Sequence, residues 1–215
     1  EWRREKDTVF PYLHTDACQA ALYLSLDVLK LNVDLLTLDG IKMHGPRGVG
    51  ILYVKSGVKI SPIIFGGGQQ GGLRSGTENI GAFVGFAKAL EIGEEVKEGE
   101  VERLLKIRDY AIGEILKYFP KASLNGDRAS RLPNNINICF PGIDSEFTTI
   151  ALDVAGVLVS YSSSCRTLKE DSSSYVISNL GKEGCSLSSL RFTLGRETKK
   201  GDIDFLVKKL RETIK

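Results

Sequence analysis

The sequence predicts an α/β fold that is followed by a smaller α+β domain. Two segments near the start, residues 33–38 and 48–55, are rich in apolar, β-branched and aromatic residues and have the length of buried strands. Later in the chain, apolar residues recur at intervals of three and four, as in helices that pack one face on a sheet. From about residue 100 onward, helices combine with short alternating strands, which indicates a separate domain. We expect the domains to span residues 1–98 and 99–215.

Each element of the first domain follows from a local signal. Residues 8–13 are predicted to form a first strand, and residues 20–31 an apolar connector. The glycines of residues 66–72 predict a tightly turned loop. Thr77 is expected to cap a helix that begins at Glu78, because a threonine hydroxyl accepts a backbone N–H at such a position. The apolar residues of this helix are expected in the core, and they are Ile80, Phe83, Val84, Ala87 and Leu90.

The second domain shows a different order of elements. The charged residues 94–102 predict a solvated junction, after which an apolar rhythm predicts a helix that Pro120 ends. Strands are expected at residues 134–140, 158–163 and 190–194. Residues 202–214 have the pattern of a closing amphipathic helix.

The composition excludes several classes of protein. Of the 215 residues, 42% are hydrophobic and 26% charged, and the net charge is +2. A charge this small favours neither a nucleic-acid partner nor a membrane surface. The sequence has no apolar stretch long enough to span a membrane and no signal peptide at its start.

The cysteines and histidines do not indicate a metal site. The four cysteines form no C-x-x-C pair, and the sequence has only two histidines, His14 and His44. We therefore expect no bound metal, reduced thiols and a cytoplasmic protein. Cys139 and Cys185 are expected to act as small buried hydrophobic residues.

Two residues suggest cofactor chemistry on their own. Lys42 follows the apolar run 33–38 and is flanked by glycines, which is how a protein presents an amine for Schiff-base formation, although a surface lysine in a turn is the simpler interpretation. Asp16 ends the preceding strand-like segment, where a carboxylate can pair with a pyridinium nitrogen. Together they suggest pyridoxal 5'-phosphate (PLP).

Five motifs in a fixed order extend this interpretation. They are H-x-D-x-x-Q from His14, K-x-x-G-P-R-G-x-G from Lys42, GGGQ-x-x-GLRSGT from Gly66, the pair Ser164-Cys165, and S-x-R-F-x-LGR from Ser189. In this order and at these spacings the chain resembles the NifS- and IscS-like cysteine desulfurases. These are class-V, fold-type-I PLP enzymes that take sulfur from L-cysteine and leave alanine. The resemblance covers nearly the whole chain from Tyr12.

The resemblance implies a role for each matching residue at the cofactor. Lys42 would bind PLP covalently and then move protons. Asp16 would pair with the pyridine nitrogen, and Gln19 would hydrogen-bond to the phenolic oxygen of the ring. Thr77 lies in the loop that, in the family, reaches the cofactor phosphate of the partner subunit, so a homodimer is implied. His14 matches a recurring histidine, to which we assign no catalytic part.

The resemblance also assigns the substrate and the sulfur. Arg191 would hold the carboxylate of L-cysteine, which its planar guanidinium suits better than a lysine would. Cys165, on a polar loop of the small domain beside Arg166, would receive the sulfur as a persulfide. A sulfur-acceptor protein is therefore an implied partner, either an iron–sulfur scaffold or a tRNA-thiolation enzyme. Cys18 is expected to be structural.

Two observations leave alternatives open. The family usually has serine and histidine where this chain has Asp39 and Ile41 before the lysine. A carboxylate about 4 Å from a phosphate charge would be repelled by on the order of 4 kcal/mol per unit charge. The chain also starts at Glu1 and has its only methionine at Met43, so a preceding N-terminal half is expected, without which residues 1–215 would be inactive. A selenocysteine lyase, a class-V aminotransferase and a catalytically silent scaffold relative are the alternative functions.

Overall fold

The computed structural model describes residues 8–161 and 173–214. The chain divides into two compact units, Glu1–Glu98 and Gly99–Lys215. The division falls inside a continuous helix, Ile80–Tyr118, that contributes to both units. No helix of the described part of the chain is long and apolar enough to cross a membrane.

A three-stranded mixed sheet forms the centre of the first unit. Strands β1 (His14–Asp16) and β2 (Leu35–Asp39) are parallel, and β3 (Gly50–Val54) pairs antiparallel with β2. The short helix α1 (Val28–Leu31) lies between β1 and β2 and is capped by the Asp27 side chain. The prediction of a strand at residues 8–13 is wrong, because pairing with β2 begins only at His14.

Helix α2 spans Ile80–Tyr118, and two predictions for this part of the chain are wrong. Asn79, not Thr77, is the capping residue, since its Oδ1 accepts the N–H of Ala82 at 3.1 Å. The charged residues 94–102 do not form a junction, because ion pairs one turn apart, such as Arg103 with Glu100 at 2.8 Å, support a continuous helix. The predicted end of the helix just before Pro120 is confirmed.

The apolar residues predicted for the core on the first turns of α2 lie mostly at its surface. Ile80 and Val84 are 62% and 65% exposed, whereas Phe86 is 1% exposed. The face that packs on the sheet is made instead of small residues around Phe86, so a rhythm of large apolar residues identified the wrong face. The buried cluster of this unit comprises Ala17, Ala21, Leu22, Val33, Leu36, Leu38, Met43, Val49, Ala82 and Phe86.

The small residues of α2 allow the segment after β2 to approach the helix closely. A Cβ atom on Gly85 would lie 2.7 Å from Pro46 Cγ, and one on Gly45 would lie 3.1 Å from Ala89 Cβ. Both distances are shorter than ordinary contacts between carbon atoms. The segment that follows Lys42 and contains Gly45 and Pro46 is thus packed directly against the surface of α2.

The second unit is an antiparallel sheet with helices. Its strands are β4 (Ser123–Leu124), β5 (Asn135–Cys139) and β6 (Ser189–Thr193), with β5 in the middle. Besides part of α2 it contains α3 (Ser145–Val154), α4 (Tyr175–Asn179) and α5 (Lys200–Thr213). The predicted strands at 134–140 and 190–194 and the closing helix are confirmed, but at 158–163 the structure has only a bridge between Ser160 and Arg191, and residues 162 and 163 lie outside the described part.

The two faces of this second sheet differ in chemistry. Alternate residues of β5 and β6 are apolar and almost fully buried, namely Ile136, Ile138, Leu190 and Phe192. Buried residues of the helices complete the core, among them Leu104, Ile112, Ile115, Leu206 and Leu210. The other face carries polar side chains, including Asn137 and Arg191, which are only partly buried. Strand alternation therefore separates a core from a polar surface.

The prediction of reduced thiols is wrong for two of the four cysteines. Cys139 at the end of β5 and Cys185 in the turn before β6 form a disulfide bond with a Cα–Cα distance of 5.4 Å. The antiparallel pairing of β5 with β6 brings the two residues together although 46 positions separate them, and 5.4 Å is an ordinary span for a disulfide. No local spacing in the sequence could reveal this pairing.

Candidate functional site

The carboxyl ends of β1 and β2 meet at one edge of the first sheet. Asp16 ends β1 and Asp39 ends β2, and Lys42 follows within the 3-10 turn Gly40–Met43. In parallel sheets this edge is where ligands usually bind. His14 Nε2 lies 2.7 Å from Thr37 Oγ1 and links the two strands on the same face as Asp16.

Asp16 is held as an anion at this edge. Its Oδ1 accepts the N–H of Cys18 at 3.0 Å, and the side chain is exposed. Hydrogen bonds from the side chain and then from the backbone of Cys18 lower the pKa of Asp16, with a smaller contribution from the charge of His14. The carboxylate is therefore ionised at neutral pH, as a partner for a protonated ring nitrogen must be.

Cys18 has the opposite protonation state. Burial, a hydrogen bond to Asp16 and the negative charges of Asp16 and Asp39 raise the pKa of the Cys18 thiol to about 12. The thiol is neutral over the physiological range and is a poor nucleophile. This agrees with a structural part for Cys18.

The turn that carries Lys42 is constrained at both ends. Asp39 Oδ1 accepts the N–H of Ile41 at 3.2 Å and caps the turn, while His44 ends it in a left-handed conformation with φ of 59°. Gly40 is buried, and a Cβ there would lie 2.9 Å from the carbonyl oxygen of Pro46. Lys42 itself is exposed, and no residue of the described ranges forms an ion pair with it. The amine is thus presented on a fixed backbone.

The other two predicted cofactor residues lie in less regular structure. Gln19 is exposed in the turn that follows β1, three positions after Asp16. Thr77 is exposed in the segment before α2. The structure brings Asp16, Gln19 and Lys42 to the same end of β1 and β2, and their roles stay predictions.

In the second unit, Arg191 lines a pocket of about 270 Å³. Across the parts of the chain that the structure describes, the guanidinium of Arg191 has no hydrogen-bond or ion-pair partner, and its backbone pairs with Ser160 at 2.7 Å. The pocket is also lined by Asn125, Asn135, Asn137, Tyr161, Ser174, Val176, Ile177 and Leu180. Arg191 is thus available to an anion.

Cys165 lies outside the described residues, but the chain on either side of it reaches this pocket. Tyr161 and Ser174, which stand before and after residues 162–172, both line the cavity with Arg191. Ser174 N donates to Ser186 O at 3.1 Å, and the Ser174 side chain caps α4. The pocket wall is therefore connected to both flanks of the segment that contains Cys165.

The amide side chains around Arg191 were not predicted from the sequence. Asn125 follows β4 and Asn137 lies in β5, and only the pairing of β4, β5 and β6 places them beside Arg191. The alternation of residues 134–140 predicted which side chains share a face, but it did not predict which strand lies next to which.

Comparison with known proteins gives one consistent family. The aminotransferase class-V family profile matches residues 6–206. A protein of Dictyoglomus turgidum named cysteine desulfurase IscS is 40% identical over 204 residues, which are 94% of this chain and 52% of that protein. A protein of Archaeoglobus fulgidus named cysteine desulfurase IscS 1 is 41% identical over 199 residues, 92% of this chain and 52% of the relative. The chain spans about half the length of the curated relatives it matches.

Solved structures agree with this result. A NifS-like protein from Rickettsia africae superposes with a TM-score of 0.86 at 27% identity, and covers 98% of this chain and 55% of that one. Another structure described as a NifS-like protein has a TM-score of 0.84 at 30% identity, covering 97% of this chain and 53% of its own. The fold similarity thus extends over nearly all of the chain.

Proposed function

The chain belongs to the aminotransferase class-V family and has its PLP-dependent transferase fold of type I, and on this premise we propose that it is the lysine-bearing part of a cysteine desulfurase. The observation that carries the proposal is the edge of the first sheet, where Asp16 ends one parallel strand and Lys42 follows the next. The complete protein would convert L-cysteine to L-alanine and pass the sulfur to an acceptor.

The residues at this edge fit PLP. The pKa of Asp16 is lowered, so its carboxylate matches the positive charge of a protonated pyridine nitrogen. The exposed Lys42 amine is accessible for covalent attachment, while Gln19 and Thr77 supply polar groups for the ring oxygen and the phosphate. When bound, PLP would withdraw electrons from the α-carbon of the substrate. Lys42 would carry a proton to or from that carbon at its Nζ atom.

The position of Asp39 is relevant to the alternative that the protein is a catalytically silent scaffold. One of its carboxylate oxygens accepts the N–H of Ile41, so this replacement of the family's serine caps the turn of Lys42. The carboxylate thus helps to position the lysine backbone. This role explains the presence of Asp39 without placing its carboxylate at the cofactor phosphate.

The pocket of the second unit supports binding of an amino acid. Arg191 would hold the α-carboxylate of L-cysteine through two parallel N–H donors. The thiolate of Cys165 would then attack the sulfur atom of the substrate. The bond between that sulfur and Cβ breaks, its electron pair stays with carbon, and the carbon fragment leaves as alanine after protonation. The sulfur remains on Cys165 as a persulfide and passes to a thiol of an acceptor protein.

We further propose that the complete protein is a cytoplasmic homodimer. The acceptor would be an iron–sulfur scaffold or a tRNA-thiolation enzyme. The names of the relatives support cysteine as substrate, and selenocysteine is the competing substrate.

The test uses the longest naturally produced form of the protein that contains these residues. It is supplied with PLP and L-cysteine. Cys165→Ser should keep the cofactor's visible absorbance but stop the release of sulfide in the presence of a thiol reductant, because the thiol acts after cofactor binding. Lys42→Ala is the control that should lose both. Undiminished sulfide release by Cys165→Ser would contradict the assignment of the nucleophile. Turnover of selenocysteine without turnover of cysteine would replace the proposed substrate.

A further inference from the structure

A row of polar side chains crosses the sheet of the second unit beside Arg191. Asn137 on β5 is the direct cross-strand partner of Arg191 on β6. Asn125, which follows β4, donates its backbone N–H to Asn137 O at 2.8 Å on the other side of β5. Since cross-strand partners point to the same face of a sheet, the three side chains lie in one row. All three line the pocket.

The electrostatic character of this pocket is that of an anion site. Among the described residues that line it, Arg191 is the one cation, and none is an aspartate or glutamate. The remaining polar members are amide and hydroxyl groups, which can donate hydrogen bonds. A ligand with one negative group is therefore attracted by Arg191, and the nearby carboxylate of Glu146 is hydrogen-bonded to Tyr161 instead of lining the pocket.

Hydrogen bonds fix the direction in which the Asn137 amide points. Ser189 Oγ donates to Cys185 O at 2.7 Å, so this hydroxyl has no proton left for Asn125 and must accept from it. Asn125 Nδ2 therefore faces Ser189 Oγ and Asn137 Oδ1, each at 2.8 Å. Because Asn137 Oδ1 is turned toward Asn125, its Nδ2 group is turned the other way, toward the Arg191 side of the row.

The two amides of the row, Asn125 and Asn137, differ in burial. Asn125 is 3% exposed, and its own Oδ1 has no partner within the described structure. Asn137 is only partly buried, and asparagine is unfavourable in strands. The Asn137 donor therefore stays in reach of water in the free protein and is available to a ligand that enters the pocket.

We propose that Asn137 Nδ2 is a second ligand of the substrate carboxylate beside Arg191, and that Asn125 is the positioning residue that aims it. This inference rests on the proposed function and deepens it, because it assigns the recognition of an α-carboxylate to a pair of residues on adjacent strands. The guanidinium supplies charge and the amide supplies a directed neutral donor. The pocket accordingly binds the carboxylate end of an amino acid and does not bind amines that lack this group.

The experiment measures binding to the full chain without turnover. L-Alanine is titrated to tens of millimolar while the Arg191 Nε–H and Asn137 side-chain NH2 resonances are followed by NMR, and ethylamine serves as the probe that lacks a carboxylate. Asn137→Leu should weaken alanine binding about tenfold, as expected for a lost hydrogen bond to a charged group. Asn135→Leu, on the same face and in the same pocket, is the matched control and should change the Kd less than about twofold. Asn125→Asp should shift the Asn137 NH2 resonances in the free protein, because the donor that orients this amide is lost.

The outcomes separate this inference from the function on which it rests. If Arg191→Ala weakens alanine binding but Asn137→Leu behaves like Asn135→Leu, the second ligand is refuted and the substrate site stands. If Arg191→Ala leaves the Kd unchanged, or if the unaltered chain binds no alanine, the substrate site and the inference fall together. Equal binding of ethylamine would likewise overturn both.

Discussion

Loss of the Cys139–Cys185 disulfide should destabilise the second unit by about 4 kcal/mol. The bond closes a loop with a sequence separation of 46 residues. In the chain-entropy description, a loop of this length removes about 13 cal/mol/K from the unfolded chain, which gives about 4 kcal/mol at 25 °C. A value this large is comparable with the whole stability of many domains, so the reduced unit should be marginally folded.

The effect should also reach the pocket. Cys185 O accepts from the Ser189 hydroxyl, and Ser186 O accepts the N–H of Ser174 at the start of α4. When the turn 183–185 is no longer tied to β5, these acceptors lose their fixed position. We therefore expect faster hydrogen exchange at residues 174–180 in the reduced protein than in the oxidised one.

The assay is urea-dependent amide exchange of strand β5, which reports the unfolding free energy of this unit. The unaltered chain is measured with and without a phosphine reductant, and Cys139→Ala/Cys185→Ala shows whether the reductant acts elsewhere. Cys18→Ala is the control, and it should respond to the reductant as the unaltered chain does. Equal free energies in oxidised and reduced protein, or alkylation of Cys139 in the native oxidised chain, would refute the reasoning.

Two further predictions concern the first unit. Gly85→Ala should lower the free energy of unfolding by about 1–3 kcal/mol relative to Gly81→Ala on the same helix. The reason is that a Cβ at Gly85 would lie 2.7 Å from Pro46 Cγ, whereas at Gly81 the nearest atom is 3.8 Å away. Equal urea midpoints for the two variants would contradict this packing. The rate of Cys18 alkylation by iodoacetamide should rise with pH, with a midpoint near 12 in the native chain and near 9.0 in urea. Between these pH values the free energy of unfolding should fall, because only the thiol of the unfolded chain has ionised. A native midpoint near 9.0, read from the Cys18 peptide by mass spectrometry, would contradict the assigned environment.

Local sequence patterns correctly predicted several strands and the closing helix. The strands around residues 35–39 and 135–139 and the closing helix follow from apolar alternation and helical rhythm, and the structure has them within a few residues. Lys42 was proposed because the end of the buried run before it is visible in the sequence, whereas Asp16 was proposed from the run 8–13, which is not a strand. Their common edge follows from parallel pairing, which the alternation of strands and helices indicates.

The errors arose where tertiary contacts decide the outcome. Ile80 and Val84 have helical spacing, yet the core side of α2 is chosen by the close approach of Pro46 to Gly85. Asn79 replaces Thr77 as the cap because the two residues differ little in capping strength and the start of the helix is set by the loop before it. The Cys139–Cys185 bond and the row from Asn125 to Arg191 depend on strand register between distant segments, which no local pattern contains.

The central claim is that Lys42 holds PLP, and reductive trapping tests it most directly. The protein is incubated with PLP, reduced with borohydride and digested, and the pyridoxyl group is located by peptide mapping. We expect the label on Lys42, and a Lys42→Ala variant should lose it while keeping any weak background on surface lysines. A dominant label on Lys55 or on another lysine, or unchanged labelling of Lys42→Ala, would contradict the account.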